Sequence, residues 1–146
     1  MSQLQHARSF RDLIVYQKAR AAAKHVFAVT RRFPKEEMYS LTDQARRSSR
    51  SVGAQITEAW AKRRYEKHFV SKLTDADGEQ QETQHWIETA ADCGYLEEAE
   101  VTNFNNELGE IGRMLNSMIE KADSFCGEPS LALHESTVDY FTTTDD

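Results

Sequence analysis

A chain of 146 residues, 39% hydrophobic and 29% charged, is long enough to bury one core, and its mean hydropathy of −0.70 suits a soluble protein. No stretch approaches the roughly 18 apolar residues of a membrane helix, and the opening MSQLQHARSF lacks the apolar run of a secretory signal. Six glycines and two prolines are too few turn-formers for a many-stranded β fold, and the net charge of −6 conceals a strong asymmetry along the chain.

The first helical run is expected from Phe10 to Phe33, closed by Pro34, with Leu13, Tyr16, Ala23, Val26 and Phe27 at helical spacing. The second is expected from Ser40, read as an N-cap with Asp43 at N3, to about Arg64. Leu41, Ala45, Ser48, Val52, Ile56 and Ala59 trace its buried face, and many small residues, Gly53 among them, suit close helix approach. The third run extends from about Tyr65 to Cys93 along Phe69, Leu73, Ala76, Gln80, Thr83, Ile87 and Ala90, with Gly94 at the C′ position. The fourth follows Phe104, Leu108, Ile111, Leu115, Met118, Ala122 and Phe125. Four amphipathic helices with short connections point to an all-α, antiparallel up-down four-helix bundle. The expected organisation is a flexible segment at 1–9, one bundle domain at 10–126 and an acidic flexible tail at 127–146, in which Val138, Tyr140 and Phe141 are apolar.

From Met1 to Leu73 there are 16 Lys or Arg against 6 Asp or Glu; from Thr74 to Asp146 there are 2 against 18. The halves therefore carry +10 and −16. Such a split serves a charged partner, contacts between unlike faces of identical subunits, or pairing within the chain. The basic residues concentrate in one stretch: Arg46, Arg47, Arg50, Lys62, Arg63, Arg64, Lys67 and Lys72. If the second helix continues to Arg64, then Arg46, Arg50 and Arg64 fall within about 40° of one another and face outward. Guanidinium groups so placed suit a phosphate backbone, and the interleaved Trp60, Tyr65 and Phe69 suit base stacking. The bland alternative puts Trp60 and Phe69 in the core and pairs the arginines with acids of the later helices.

Other chemistry finds less support. Glu82 and His85 form one Glu-x-x-His element, but a di-metal bundle needs a second copy and two further glutamates, so no metal or other cofactor is expected. Glycine-rich phosphate loops, nucleophile elbows and Cys-x-x-Cys pairs are missing, and a non-enzymatic role is expected. Cys93 and Cys126 form no disulfide framework and are read as reduced, consistent with a cytoplasmic protein.

Phe10-Arg11-Asp12-Leu13-Ile14-Val15-Tyr16-Gln17-Lys18-Ala19 resembles the opening of the 23S rRNA intervening-sequence proteins, a bacterial family also labelled S23 ribosomal protein. Phe33-Pro34, Glu37, Tyr39, Leu41, the run from Gln44 to Ser48, the run from Ser51 to Ala59, and Gly94-Tyr95-Leu96 continue the resemblance to about residue 126. The chain departs from the family pattern at Gln55, where Asn is usual, and at Ala59, where Gly is usual. The resemblance implies an up-down bundle assembled as a homopentamer. It is also similar to the accessory variability protein of diversity-generating retroelements, which implies binding to RNA or DNA and partnership with a nucleic-acid enzyme of reverse-transcriptase type. The expected contacts are Arg46, Arg47, Arg50, Lys62, Arg63, Arg64 and Lys67; the alternative is a structural or adaptor module whose charge asymmetry serves head-to-tail assembly.

Overall fold

A computed structural model describes residues 7–127; the expected tail, with Val138, Tyr140 and Phe141, lies outside the described residues. Four helices follow in order: α1 (Ile14–Thr30), α2 (Asp43–Ala61), α3 (Glu66–Asp92) and α4 (Glu98–Glu120). Each packs on the next, and α1 closes onto α4. Cross-helix partners run in opposite directions along each seam. Arg46 meets Thr30 while Gly53 faces Tyr16, and Arg47 meets Glu82 while Glu58 meets Lys72. The bundle is therefore antiparallel, as its short connections require.

The sequence seams of α2, α3 and α4 coincide with the buried residues. Val52, Ile56, Phe69, Leu73, Ile87, Leu108, Ile111, Leu115 and Met118 are at most 1% exposed. A buried hydrogen bond crosses this core where Thr83 donates from Oγ1 to Ser48 Oγ at 2.9 Å. Small side chains on α2 bring α3 close enough for the two hydroxyls to satisfy each other.

The first helix departs from expectation. The run does not begin as one helix at Phe10. Ser9, placed in the flexible segment, instead caps a short 3-10 turn, Phe10–Asp12: Arg11 N–H donates to Ser9 Oγ, and Ser9 N–H to Asp12 Oδ2. Leu13 is extended, and α1 starts after it. The buried stripe is Val15, Ala19, Ala22, Val26 and Val29, one step round from the expected seam, so Phe27 is 41% exposed and Tyr16 only half-buried.

Ser40 is not the N-cap of α2. Pro34 opens a 3-10 turn, Lys35–Glu37, that passes into a π turn, Met38–Thr42, and directly into α2. Ser40 donates to the Glu37 carboxylate at 2.7 Å, and the helix needs no cap because the chain arrives already wound. Glu37 also accepts from Tyr95 Oη at 3.0 Å, which ties the α1–α2 connection to the α3–α4 turn. These two hydrogen bonds, Ser40 first, lower the Glu37 pKa, while the bond to Glu37 pushes the Tyr95 phenol up to about 12.

Gly94 terminates α3 as expected. Its φ is +81°, Tyr95 N–H reaches Ala90 O, and Gly94 N–H reaches Ala91 O, both at 2.9 Å, a complete Schellman closure. Gly94→Ala forces a side chain into the left-handed region and is expected to lower unfolding free energy by about 1–2 kcal/mol, read from urea titration.

Candidate nucleic-acid interface

The basic residues of α2 divide according to the seam each one faces. Arg47 turns toward α3, pairing with Glu82 and lying 3.6 Å from Glu79. Glu82 also accepts from Trp86 Nε1 at 3.1 Å. Burial raises the Glu79 pKa, and the Arg47 guanidinium opposes that shift. Arg46 turns toward α1: its Nε donates to Thr30 Oγ1 at 2.9 Å and its guanidinium sits 4.7 Å from the Phe27 ring centroid. Arg50 lies one turn on, 5.7 Å from the same ring, exposed and with no carboxylate partner among the described residues.

Arg64 does not join this face. The helix ends at Ala61, so the angular projection that aligned Arg64 with Arg46 and Arg50 stops applying three residues short of it. Lys62, Arg64 and Lys67 are exposed in and after the α2–α3 turn. Arg63 folds back over Trp60, 4.0 Å from the ring centroid, and donates from Nη1 to Trp60 O at 2.9 Å. The seven expected contacts thus form two clusters plus Arg47, which is engaged in ion pairs.

Two cations escaped the sequence reading. Arg20 and Lys24 project from α1 on the flank that carries Tyr16 and Phe27. Together with Arg50 they rim a groove of about 510 Å³ between α1 and α2. Ala19 and Ala23 of α1, with Gly53 and Ala54 of α2, line it between them, and Ser49 and Thr57 add hydroxyls. No carboxylate of the described residues lines the groove. The signal was present in the spacing of Tyr16, Arg20 and Lys24, four apart, but Tyr16 was assigned to the core. At Gly53 a Cβ would stand 3.7 Å from the Tyr16 ring, an ordinary contact, so glycine there deepens the groove rather than preventing a clash.

The other seams contrast with this one. Along α1 and α4, Lys18 meets Glu110 at 2.8 Å, His25 Nδ1 meets Glu107 at 2.6 Å, and Arg32 meets Glu100 at 2.8 Å. Between α3 and α4 lies a polar groove in which Gln80 donates to Asp77 at 2.8 Å and Gln84 donates to Gln80 at 2.7 Å. Among the described residues no group of three or more His, Cys, Asp or Glu is placed to hold a metal ion; His85 is exposed against Trp86. Cys93 and Cys126 are both free thiols, and burial pushes the Cys126 thiol up to about 11. No helix among the described residues is long and apolar enough to cross a membrane.

The family profile described as 23S rRNA-intervening sequence protein matches residues 11–117. Among solved structures, the chain is similar to a protein of unknown function from the S23 ribosomal protein family of Bacteroides thetaiotaomicron VPI-5482. The TM-score is 0.66 at 28% identity, covering 73% of this chain and 96% of that one. No curated protein matches the chain.

The division of the arginines has a measurable consequence. Arg47→Ala leaves the Glu79 carboxylate without its counter-charge and is expected to destabilise the fold by about 0.5–1 kcal/mol. Arg50→Ala, which breaks no ion pair, is expected to stay within about 0.5 kcal/mol of wild type in the same denaturant titration. Lowered pH acts on the α1–α4 seam: the Glu97 backbone N–H and Arg32 hold the Glu100 pKa below its ordinary 4.5. The stability Glu100 contributes is thus present above 4.5 and lost as pH falls through the depressed value, and Glu100→Gln should lose less stability than wild type on acidification.

Proposed function

Because the chain belongs to the family of 23S rRNA-intervening sequence proteins, we propose that it is a non-enzymatic RNA-binding bundle that engages structured RNA through the α1–α2 face. The observation that carries this reading is the groove rimmed by Arg20, Lys24 and Arg50, which has cations on both walls and no carboxylate of the described residues in its lining. Elsewhere, Lys18, Arg32 and Arg47 each meet an acid across a seam. A like-charged seam leaves repulsion uncompensated within the subunit, and phosphates are the ligand that relieves it. Arg20 and Arg50 supply forked donors for phosphate oxygens, while Lys24 acts as a point charge. The reading keeps Arg50 of the sequence-derived set as a phosphate contact and adds Arg20 and Lys24. Arg46 supports from behind, and Arg47 is assigned to fold stability.

A structural role is the second reading, in which the basic face serves subunit contacts in a homo-oligomer, the pentamer that the family resemblance implies. The α1–α4 seam favours it to this extent: basic and acidic helices of this chain already mate along their length, and two copies offer the same chemistry.

Fluorescence anisotropy with a labelled RNA stem-loop across about 50–200 mM salt separates the two. Wild type is expected to bind saturably, with affinity falling steeply as salt rises. Arg50→Ala is expected to reduce the magnitude of the log–log salt slope by about 1. Reversal of Arg20, Lys24 and Arg50 to Glu is expected to abolish binding while sedimentation velocity leaves the assembly unchanged. Loss of the assembly in that variant, with no RNA binding by wild type, supports the structural role instead.

A further inference from the structure

We infer that the α2–α3 turn is a base-stacking platform that directs the protein to unpaired nucleotides beside a stem; this rests on the RNA-binding reading above. The turn concentrates charge as the groove does. Lys62, Arg63, Arg64 and Lys67 are accompanied within the stretch by Glu66 alone among acids. It also holds an aromatic ring more exposed than the groove's Phe27, among cations that no carboxylate of the described residues pairs. Tyr65 is 60% exposed, with the His68 ring 5.6 Å away and tilted by 50°. Half-buried Trp60, five residues earlier, lies under the Arg63 guanidinium.

The platform is preorganised. Lys62 N–H donates to both Glu58 O and Ala59 O, Tyr65 N–H donates to Lys62 O at 3.0 Å, and Tyr65 O accepts from His68 and Phe69 N–H. From the segment after α4, Gly127 N–H donates to Arg63 O at 3.1 Å, while Phe125 stacks on Phe69 at 5.8 Å beneath the turn. A ring on a fixed backbone loses little freedom when a base stacks on it.

The turn is continuous with the groove. On α2 the groove-lining stripe of Gly53, Ala54 and Thr57 continues, three and four residues on, to Trp60 and Ala61. A paired stem hides its base faces and offers only phosphates, which suits the groove. Nucleotides beyond the stem expose theirs, which suits Tyr65, with Arg63 and Arg64 available for phosphate and guanidinium stacking contacts.

The test uses three labelled RNAs of equal length: a stem-loop, a blunt duplex, and the stem-loop with an abasic loop that keeps every phosphate. Wild type is expected to bind the stem-loop about tenfold tighter than either of the others. Tyr65→Ala is expected to erase that difference without changing duplex affinity, and Tyr65→Phe to retain it, because the ring and not the hydroxyl stacks. Equal affinity of wild type for loop and abasic loop overturns the platform while leaving the RNA-binding reading intact, as does a Tyr65→Ala loss shared equally by the duplex. Failure of all three RNAs to bind overturns both.

Discussion

Burial of one stripe of α2 determines where every basic side chain on that helix points. Ala45, Ser48, Val52, Ile56 and Ala59 are fully buried at the centre of the bundle, between α1 and α3. A helix is rigid about its axis, so fixing this stripe leaves no rotational freedom for the rest. Arg47 is carried to the α3 side and into the reach of Glu79 and Glu82. Arg46 and Arg50 are carried to the α1 side, where Phe27 and Thr30 wait but no acid does. The small size of the stripe matters too, since it lets Ser48 and Thr83 meet across the interface.

The same constraint decides what the charge asymmetry does. Among the described residues Lys18, Arg32, Arg47 and Lys72 of the basic half are matched within the chain, because α1 lies along acidic α4 and α2 along acidic α3. Such exposed pairs contribute little individually to stability, on the order of 0–1 kcal/mol each. Their larger effect is register, since Lys18 and Arg32 find partners only if α1 and α4 run antiparallel at this offset. The α1–α2 seam brings Arg20 and Lys24 of α1 beside Arg50 of α2, and no acid of the described residues lines it. That its cations have no carboxylate partner among the described residues is therefore a consequence of helix order around the bundle.

The two ends of the bundle are held differently from its sides. At one end Tyr95 bridges to Glu37, and Phe33 packs against Tyr95 at 5.4 Å, so the π turn and the Schellman turn support each other. At the other, the 3-10 turn after α4, Ala122–Ser124, leads Phe125 onto Phe69 and Gly127 onto Arg63. Polar backbone at helix ends is satisfied by chain continuation and by cross-end contacts more than by side-chain caps. That rigidity holds the side chains of the short turns in place without the entropy cost of ordering a loop.

The sequence by itself determined the all-α class, the number of helices, the buried faces of α2, α3 and α4, and the stop at Gly94. Those features follow from periodicity and from the φ that only glycine adopts at low cost, both local properties. The seam of α1 was not local: Phe27 and Tyr16 have the spacing of core residues, and only the position of α2 leaves Phe27 under two guanidinium groups instead of inside. The cap assigned to Ser40 failed for a related reason, because the chain enters α2 already wound from Pro34. Arg46, Arg47 and Arg50 are neighbours of one kind in sequence, yet tertiary structure gave them different partners. Arg64 was separated from them by a helix that ends at Ala61, and Arg20 and Lys24 joined Arg50 from another helix. Charge is written along the chain, but which charges remain unpaired depends on which helices become neighbours.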